Sequence, residues 1–476
     1  MPSAVSAISE TRTAPTLARE LSLTDAVLLV VGGIIGSGIF ITSNTVAAAL
    51  PSPFLFLGIW VAGGAVCYIA ALAFAELGAM YPEAGGQYVY LREAFGDVAA
   101  FLYGWLMFVA GSTGGIATLT VGFAEYFGQV VPFGFREAVW TTPGFTWKFG
   151  HFVSTAWHLT RGDLVALTAI VALTAINVVG VKRAAHFQNV ATWLKYLAMA
   201  VFVVLGFLIG KGSFAHFHPV AIRESLSGGI YPLMSAVGVA FIAVFWCYDG
   251  WVYVSWAAGE IRDPGRNIPR SLIFGLGAVV ALYVLINAVY LFALPTSEIA
   301  RQDTVGQAAA QTLFSASAAT WMSAIIAIAC LGAACSNTLA GARVVYAMAH
   351  DGAFFRRMGE VHPRYRTPAF ALVAQGVLAC VFAVSGTYDQ LFTYTVFGMV
   401  LSYVATVIAV FVLRRKQPDH PRPYRCAGYP WVPALYVLLI GGWIVNTIIQ
   451  RPFEAVSCLG LMAIGLPGFL WWKRKR

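Results

Sequence analysis

The chain has 476 residues, 59% of them hydrophobic and only 11% charged, with a mean hydropathy of +0.75. Soluble chains carry about 25% charged residues, so this one lacks the charge to coat a water-facing surface, and lipid is the solvent for most of its exterior. The net charge of +9 does not form a nucleic-acid patch, because the Lys and Arg residues sit in short connections between apolar runs, where they set membrane orientation.

Residues 1–20 are polar, contain Arg12 and Arg19, and lack the apolar core and small-residue cleavage site of a signal peptide. They are expected to form a cytoplasmic tail. A helix needs about 20 apolar residues to cross a bilayer. Twelve segments meet that requirement: 24–49, 54–81, 97–130, 163–181, 188–210, 231–258, 271–294, 319–349, 368–386, 388–413, 430–449 and 454–472. The third and eighth are long enough to tilt. With the N-terminus inside, 22 of the 30 Lys and Arg residues fall on the cytoplasmic side, including Arg92, Arg343 and Arg414. Seven fall outside, among them Lys148, Arg223 and Arg451, and Lys195 lies within a span. That bias predicts a multi-pass protein of the cell membrane with both termini cytoplasmic, 473–476 forming the second tail. Pro82, Gly85 and Gly86 open a segment, Tyr88 to Gly96, expected as a short interfacial helix.

None of the seven cysteines lies in the outer connection at 131–162, and no Cys-x-x-Cys metal spacing occurs. Cys330 and Cys335 share an apolar helix and read as packing residues. His350, His362 and His420 fall in cytoplasmic stretches without metal-ligand spacing. No P-loop is present. Neither a metal nor any other cofactor is expected.

The first span reads Val30-Val31-Gly32-Gly33-Ile34-Ile35-Gly36-Ser37-Gly38-Ile39-Phe40. Each interior glycine costs a helix about 1 kcal/mol against Ala. Close helix packing through the Gly32/Gly36 pair is one reading. Unwinding at Gly36-Ser37-Gly38 is the other, and would present free N–H groups and a helix dipole to a carboxylate. The sixth span carries a second irregularity, Phe245-Trp246-Cys247-Tyr248-Asp249-Gly250-Trp251, with an acid at membrane depth. Interruptions in corresponding spans of two halves point to a transporter site, which favours the broken-helix reading for both.

Lys195 lies well inside the fifth span, where it either snorkels to the membrane face or serves a functional role, as an ammonium that replaces a bound sodium ion or as a group that titrates when desolvation lowers its pKa. Glu76 ends the second span near Glu83 and Arg92. A structural ion pair at a cytoplasmic gate and a proton relay are its two readings. Glu125 is expected to be solvated or paired near the outer end of the third span, or to attract cations. The segment from Arg262 to Arg270 joins spans six and seven as a charged connection. Trp105, Trp251 and Trp256 read as packing residues or interface anchors rather than ligand cages.

Four motifs, in order, are Gly36-Ser37-Gly38-Ile39-Phe40, then Ala75-Glu76-Leu77 with Pro82 to Leu91, then Tyr248 to Trp251 with Gly259 to Arg270, and last Arg343 to Gly352. On these, the chain resembles the amino acid–polyamine–organocation superfamily, most closely bacterial relatives of the L-type amino acid transporters. The resemblance implies an all-α integral membrane protein of twelve transmembrane helices. Two inverted five-helix repeats of the leucine-transporter type, 21–210 and 231–415, would be followed by two further helices at 430–472. It implies substrate between spans one, three, six, eight and ten. The substrate carboxylate would meet the N–H groups of Ser37, Gly38 and Ile39, which the Gly36 turn exposes. Its ammonium would meet the carbonyls of Ile34, Trp246 and Cys247. Trp246 stands at an outer-gate position where Phe is more usual. A lysine at Lys195 implies replacement of a sodium ion between spans one, five and eight. Two departures stand out. Asp249 replaces the Gly of eukaryotic L-type members, leaving contact with the substrate ammonium, proton shuttling and helix capping open. The outer loop lacks the cysteine that links those members to a heavy chain, so no such partner is expected.

The expected function is sodium-independent exchange or proton symport of amino acids by alternating access. Carriage of cationic amino acids, polyamines or other amines is the alternative on the same fold. An embedded enzyme would need clustered catalytic groups, for which only Asp249 and Lys195 are candidates. A channel would want a ring of polar residues, and a nutrient sensor is the remaining class.

Overall fold

The computed structural model describes residues 17–142, 158–218, 230–385, 388–450 and 452–474. Arg12, Lys148, Arg223, Arg451, Lys475 and Arg476, counted in the orientation argument, lie outside the described residues.

Ser22 opens the first helix with a capping box: its Oγ accepts from Asp25 N–H while the Asp25 carboxylate accepts from Ser22 N–H at 2.8 Å. Helix α1 (Leu23–Ile34) then stops, and the chain resumes as α2 (Gly38–Ile41) and α3 (Ser43–Ala49). The segment 24–49 is therefore three helical pieces. Helix α4 (Pro53–Met80) follows, then α5 (Gln87–Phe95), which fits the expected short helix but buries Tyr88, Val89, Tyr90 and Leu91. The third span starts as α6 (Asp97–Leu106), passes through a π-helical turn at Met107–Gly111 and continues as α7 (Ser112–Val130). The connection between α7 and the next helix contributes β1 (Ala138–Thr141) and β2 (His158–Thr160), paired antiparallel, so the chain is not all helix.

Helices α8 (Arg161–Val179) and α9 (Val181–Ile209) complete the first half of the chain. In the second half α10 (Ile230–Cys247) is separated by an irregular turn from the short α11 (Tyr253–Trp256). Helix α12 (Pro264–Ala293) begins earlier than expected, because Pro264 sits at its first turn, where a missing N–H costs nothing. Arg266 and Arg270 are thus helical, not part of a loop. Next come α13 (Thr296–Ile299), α14 (Val305–Leu313), α15 (Ala316–His350), α16 (Ala369–Ser385), α17 (Tyr388–Lys416), α18 (Trp431–Gln450) and α19 (Pro452–Lys473).

Among the described residues, nine helical segments are long and apolar enough to cross a membrane, and three shorter apolar helices lie at Leu23–Ile34, Pro232–Cys247 and Ala369–Ser385. The core is built around the interrupted helices: α1 packs on α9, α12 and α15, while α15 runs along α7. Helices α18 and α19 stay peripheral, touching α17, α4 and α6. Leu438, Ile449, Val456 and Ile464 are mostly exposed, as lipid-facing residues must be.

The charged motifs at the ends of these helices become ion pairs, one of them fully buried. Arg343 lies within α15, fully buried, and donates to Glu260 at 2.7 and 2.9 Å, with both side chains at 0% exposure. It is a packing charge rather than a loop charge. Leu21 bridges Ile261 on the same junction, its N–H donating to Glu260 carbonyl at 2.9 Å. Arg92 pairs with Asp351 and, at 3.0 Å, with Glu93, while Glu83 lies 3.5 Å away.

Candidate functional site

The break in the first span follows from its glycines. Gly33 packs against the sixth-span break so closely that a Cβ there would lie 2.7 Å from the Gly250 carbonyl oxygen and 2.7 Å from the Tyr253 ring. Gly250 itself has φ +106, a conformation that an L side chain rarely adopts. The two interruptions therefore meet backbone to backbone, and only glycine permits the contact from either side.

At this meeting point a partly open cavity of about 690 Å³ runs between spans one, three, six, eight and ten. Ile34, Gly36, Ser37, Gly38, Trp246, Cys247 and Asp249, all singled out from sequence, line it. Ile39, Lys195 and Glu76 do not. The Ile39 side chain is fully buried, and only its N–H lies at the start of α2.

The wall is polar on one flank and aromatic on the other. Ser37 is the N-cap of α2 and makes no side-chain cap, so the first N–H groups of that helix depend on another acceptor. The Cys247 carbonyl ends α10, where the chain turns away, whereas the Trp246 carbonyl accepts from Asp249 N–H at 3.1 Å. The Ile34 carbonyl already accepts from Gly36 N–H at 2.9 Å and from the Tyr283 hydroxyl at 3.2 Å. Both of its lone pairs are engaged, which makes it a poorer acceptor for an ammonium than the sixth-span carbonyls. Asp249 accepts from the Tyr403 hydroxyl, delivered by α17, and Tyr403 packs on Trp251 and Phe74.

Lys195 sits behind this wall with no exposed surface. Its ammonium donates to the carbonyls of Gly32 at 2.8 Å, Ile35 at 2.5 Å and Ala329 at 3.5 Å. Its three donors are thus matched by three carbonyls from the first and eighth spans. The neighbours Trp193, Leu194 and Leu197 are the exposed ones, so the snorkelling reading of Lys195 is excluded.

Glu76 forms an ion pair, but with other partners than Arg92. Arg414 donates to it at 2.7 and 2.9 Å, Arg422 lies 3.5 Å away, and Cys426 N–H donates at 2.7 Å. Arg92 is drawn to Asp351 instead because α5 carries it away from the end of α4. The Arg414 guanidinium also stacks 3.7 Å over the Tyr429 ring. Burial, and then the Glu76 carboxylate, push the Cys426 thiol up to about 11.

Several lining residues escaped the sequence reading. The π-helical turn in the third span presents Met107 and Gly111 to the cavity, and Ser112 and Thr118 follow on α7. Ser112 Oγ and Asn337 Oδ1 lie 2.7 Å apart across the cavity wall. Tyr253, Trp256 and Met399 line it too, so Trp256 is a wall residue as well as a packing one. The run Gly111-Ser112-Thr113-Gly114-Gly115 and the polar triplet Ser336-Asn337-Thr338, both inside apolar spans, were the available signals.

A family model described as amino acid permease matches residues 21–462. The serine/threonine exchanger SteT of Bacillus subtilis (strain 168) is 30% identical over 460 residues, covering 95% of both chains. The b(0,+)-type amino acid transporter 1 of Mus musculus is 28% identical over 455 residues, covering 95% of this chain and 87% of its own. The large neutral amino acids transporter small subunit 2 of Mus musculus is 27% identical over 465 residues, covering 96% and 82% respectively. These relatives are membrane transporters, not enzymes. The two interrupted helices, the cavity between them and a family match spanning nearly the whole sequence lead to one conclusion: this chain belongs to the amino acid permease family and carries amino acids across a membrane.

Proposed function

We propose that the protein is a sodium-independent amino acid exchanger, or a proton symporter, working by alternating access in the cell membrane with both termini cytoplasmic. The reading takes the nine long and three shorter apolar helices as twelve spans, the first ten forming two inverted repeats of five. The observation that carries it is the meeting of the two helix breaks at Gly33 and Gly250, directly beside the cavity. The N–H groups of Ser37, Gly38 and Ile39 receive the substrate carboxylate, favoured by the helix dipole. The Cys247 and Trp246 carbonyls receive the ammonium, with Ile34 contributing less. Trp246 closes the outer side, and Glu76 holds the inner ends of α4 and α17 together as a gate element. The Lys195 amine sits among carbonyls where a transporter driven by sodium would need the ion, which supports sodium independence.

The Asp249 carboxylate on the cavity wall favours a second reading, in which cationic amino acids or amines are also carried. The cysteine-free stretch 131–162 supports operation without a disulfide-linked heavy chain. Counterflow in proteoliposomes tests the proposal. Labelled amino acid should accumulate saturably against an unlabelled internal pool and be indifferent to sodium removal. Uptake that needs sodium, or neither uptake nor exchange of any amino acid or amine, would overturn it.

A further inference from the structure

A groove of about 830 Å³ lies away from the substrate cavity, between the first turns of α12 and the connection 417–430. Its walls are Arg266, Pro269, Arg270 and Ile273 on one side and Pro423 and Tyr424 on the other. Gly265 closes its floor, since a Cβ there would touch the Pro423 ring at 3.3 Å.

Three observations converge on an occupant. Arg266 is exposed and Arg270 half-buried, one helical turn apart on the same face. Among the described residues neither joins an ion pair, while Glu260, Glu76 and Asp351 are committed to Arg343, Arg414 and Arg92. Asp263 at the groove edge is the one acid in its lining and leaves an excess of positive charge. The third observation is what the arginine face becomes further along the helix. Phe274, Ala281 and Leu285 continue it and are all exposed, Phe274 at 61% and Leu285 at 47%. From Arg270 to Leu285 this apolar track runs about 22 Å at 1.5 Å per residue, more than the roughly 15 Å apolar depth of one leaflet. A free anion would use the arginines alone. A ligand with a phosphate at one end and acyl chains at the other would use both the arginines and the track.

We propose that this groove is a binding site for one anionic phospholipid, with Arg266 and Arg270 holding the phosphodiester and Ile273, Phe274 and Leu285 contacting its chains. The site places the lipid against α12, which packs on α1, and against the connection whose Cys426 N–H and Arg422 engage Glu76. Leaflet assignment rests on the orientation proposed above; binding itself does not.

The test is lipid retention by the full-length protein, which needs no transported substrate and so is separable from the transport reading. Purified protein is exposed to phosphatidylcholine vesicles with and without phosphatidylglycerol, and retained lipid is measured by native mass spectrometry. One phosphatidylglycerol should be retained in preference to phosphatidylcholine. Arg266→Gln/Arg270→Gln should weaken that retention roughly ten- to thirtyfold, from the surface attraction of two basic residues. Arg356→Gln/Arg357→Gln, on another exposed cytoplasmic stretch, should leave it unchanged. Arg266→Lys/Arg270→Lys keeps the charge and should retain most of the binding, which guards against a folding defect in the Gln variant. Equal retention by the Gln variant and the control would overturn the proposal. Displacement of the lipid by inorganic phosphate alone would overturn it in favour of a free-anion site.

Discussion

At the residue scale, the site depends on which atoms the backbone leaves unpartnered. Gly38 begins α2, and a Cβ there would lie 3.0 Å from Cys247 Sγ and 3.2 Å from the Trp246 ring. Gly38→Val has no room beside them, so substrate binding should be lost while membrane insertion is retained; scintillation-proximity binding of a labelled amino acid would measure this. Asp249 offers a sharper discrimination. A hydrogen bond to a charged group contributes about 1.5–3 kcal/mol, so Asp249→Asn should weaken cationic substrates roughly ten- to a hundredfold and neutral ones little. Competition counterflow with matched cationic and neutral amino acids reads the difference, and an equal loss for both would assign Asp249 to local structure. Lys195 presents the opposite case, an amine whose hydrogen-bond partners are all backbone carbonyls. Lys195→Met would leave the Gly32 and Ile35 carbonyls without their donor, at about 1–3 kcal/mol for each buried group. Exchange should fall sharply in that variant even where it is correctly inserted.

At the scale of elements, breaks and ion pairs do different work. The breaks position the cavity, and their geometry is enforced by contact rather than by propensity. Gly250→Ala forces a side chain into a conformation costing about 1–3 kcal/mol and against the Gly33 backbone. It should lower the melting temperature in detergent and separate the two breaks, reducing exchange more than it reduces expression. The Glu260–Arg343 pair ties the junction after α11 to α15 with no exposed surface. Removing one partner from such a pair costs about 3–5 kcal/mol, whereas an apolar replacement of both is often tolerated. Glu260→Gln should therefore unfold at a markedly lower temperature, and Glu260→Leu/Arg343→Met should recover much of the loss. The Glu76 cluster does the same for α4, α17 and the connection to α18. Its partners were not legible in sequence, because Arg414 and Arg422 lie more than 300 residues away while Arg92 was near at hand. The π-helical turn in the third span was hidden for a related reason. Met107 to Gly111 reads as ordinary apolar helix, and only packing against the eighth and tenth spans reveals the extra residue in the turn.

For the whole molecule, orientation is the quantity that connects charge to function. A cysteine placed at Trp140 should react with a membrane-impermeant thiol reagent from outside in intact cells. One placed at Arg364 should react only after permeabilisation. The reverse pattern would invert the orientation argued from the distribution of Lys and Arg. Composition alone determined that lipid is the solvent, because so low a share of charge cannot cover a water-facing surface. Hydrophobic run length located the long apolar helices, although α9 and α12 each begin about seven residues before their apolar runs, and glycines beside Ser37 and Asp249 marked where two helices are interrupted. Local sequence carries such signals because helix propensity and transfer to lipid are properties of short windows. Tertiary structure alone decided that the two breaks touch, that Lys195 turns inward to three carbonyls, that Trp256, Asn337 and Thr118 face one cavity, and that Glu76 answers to Arg414. Each of those is a contact between residues far apart in the chain, set by how the helices pack, and no window of sequence contains both partners.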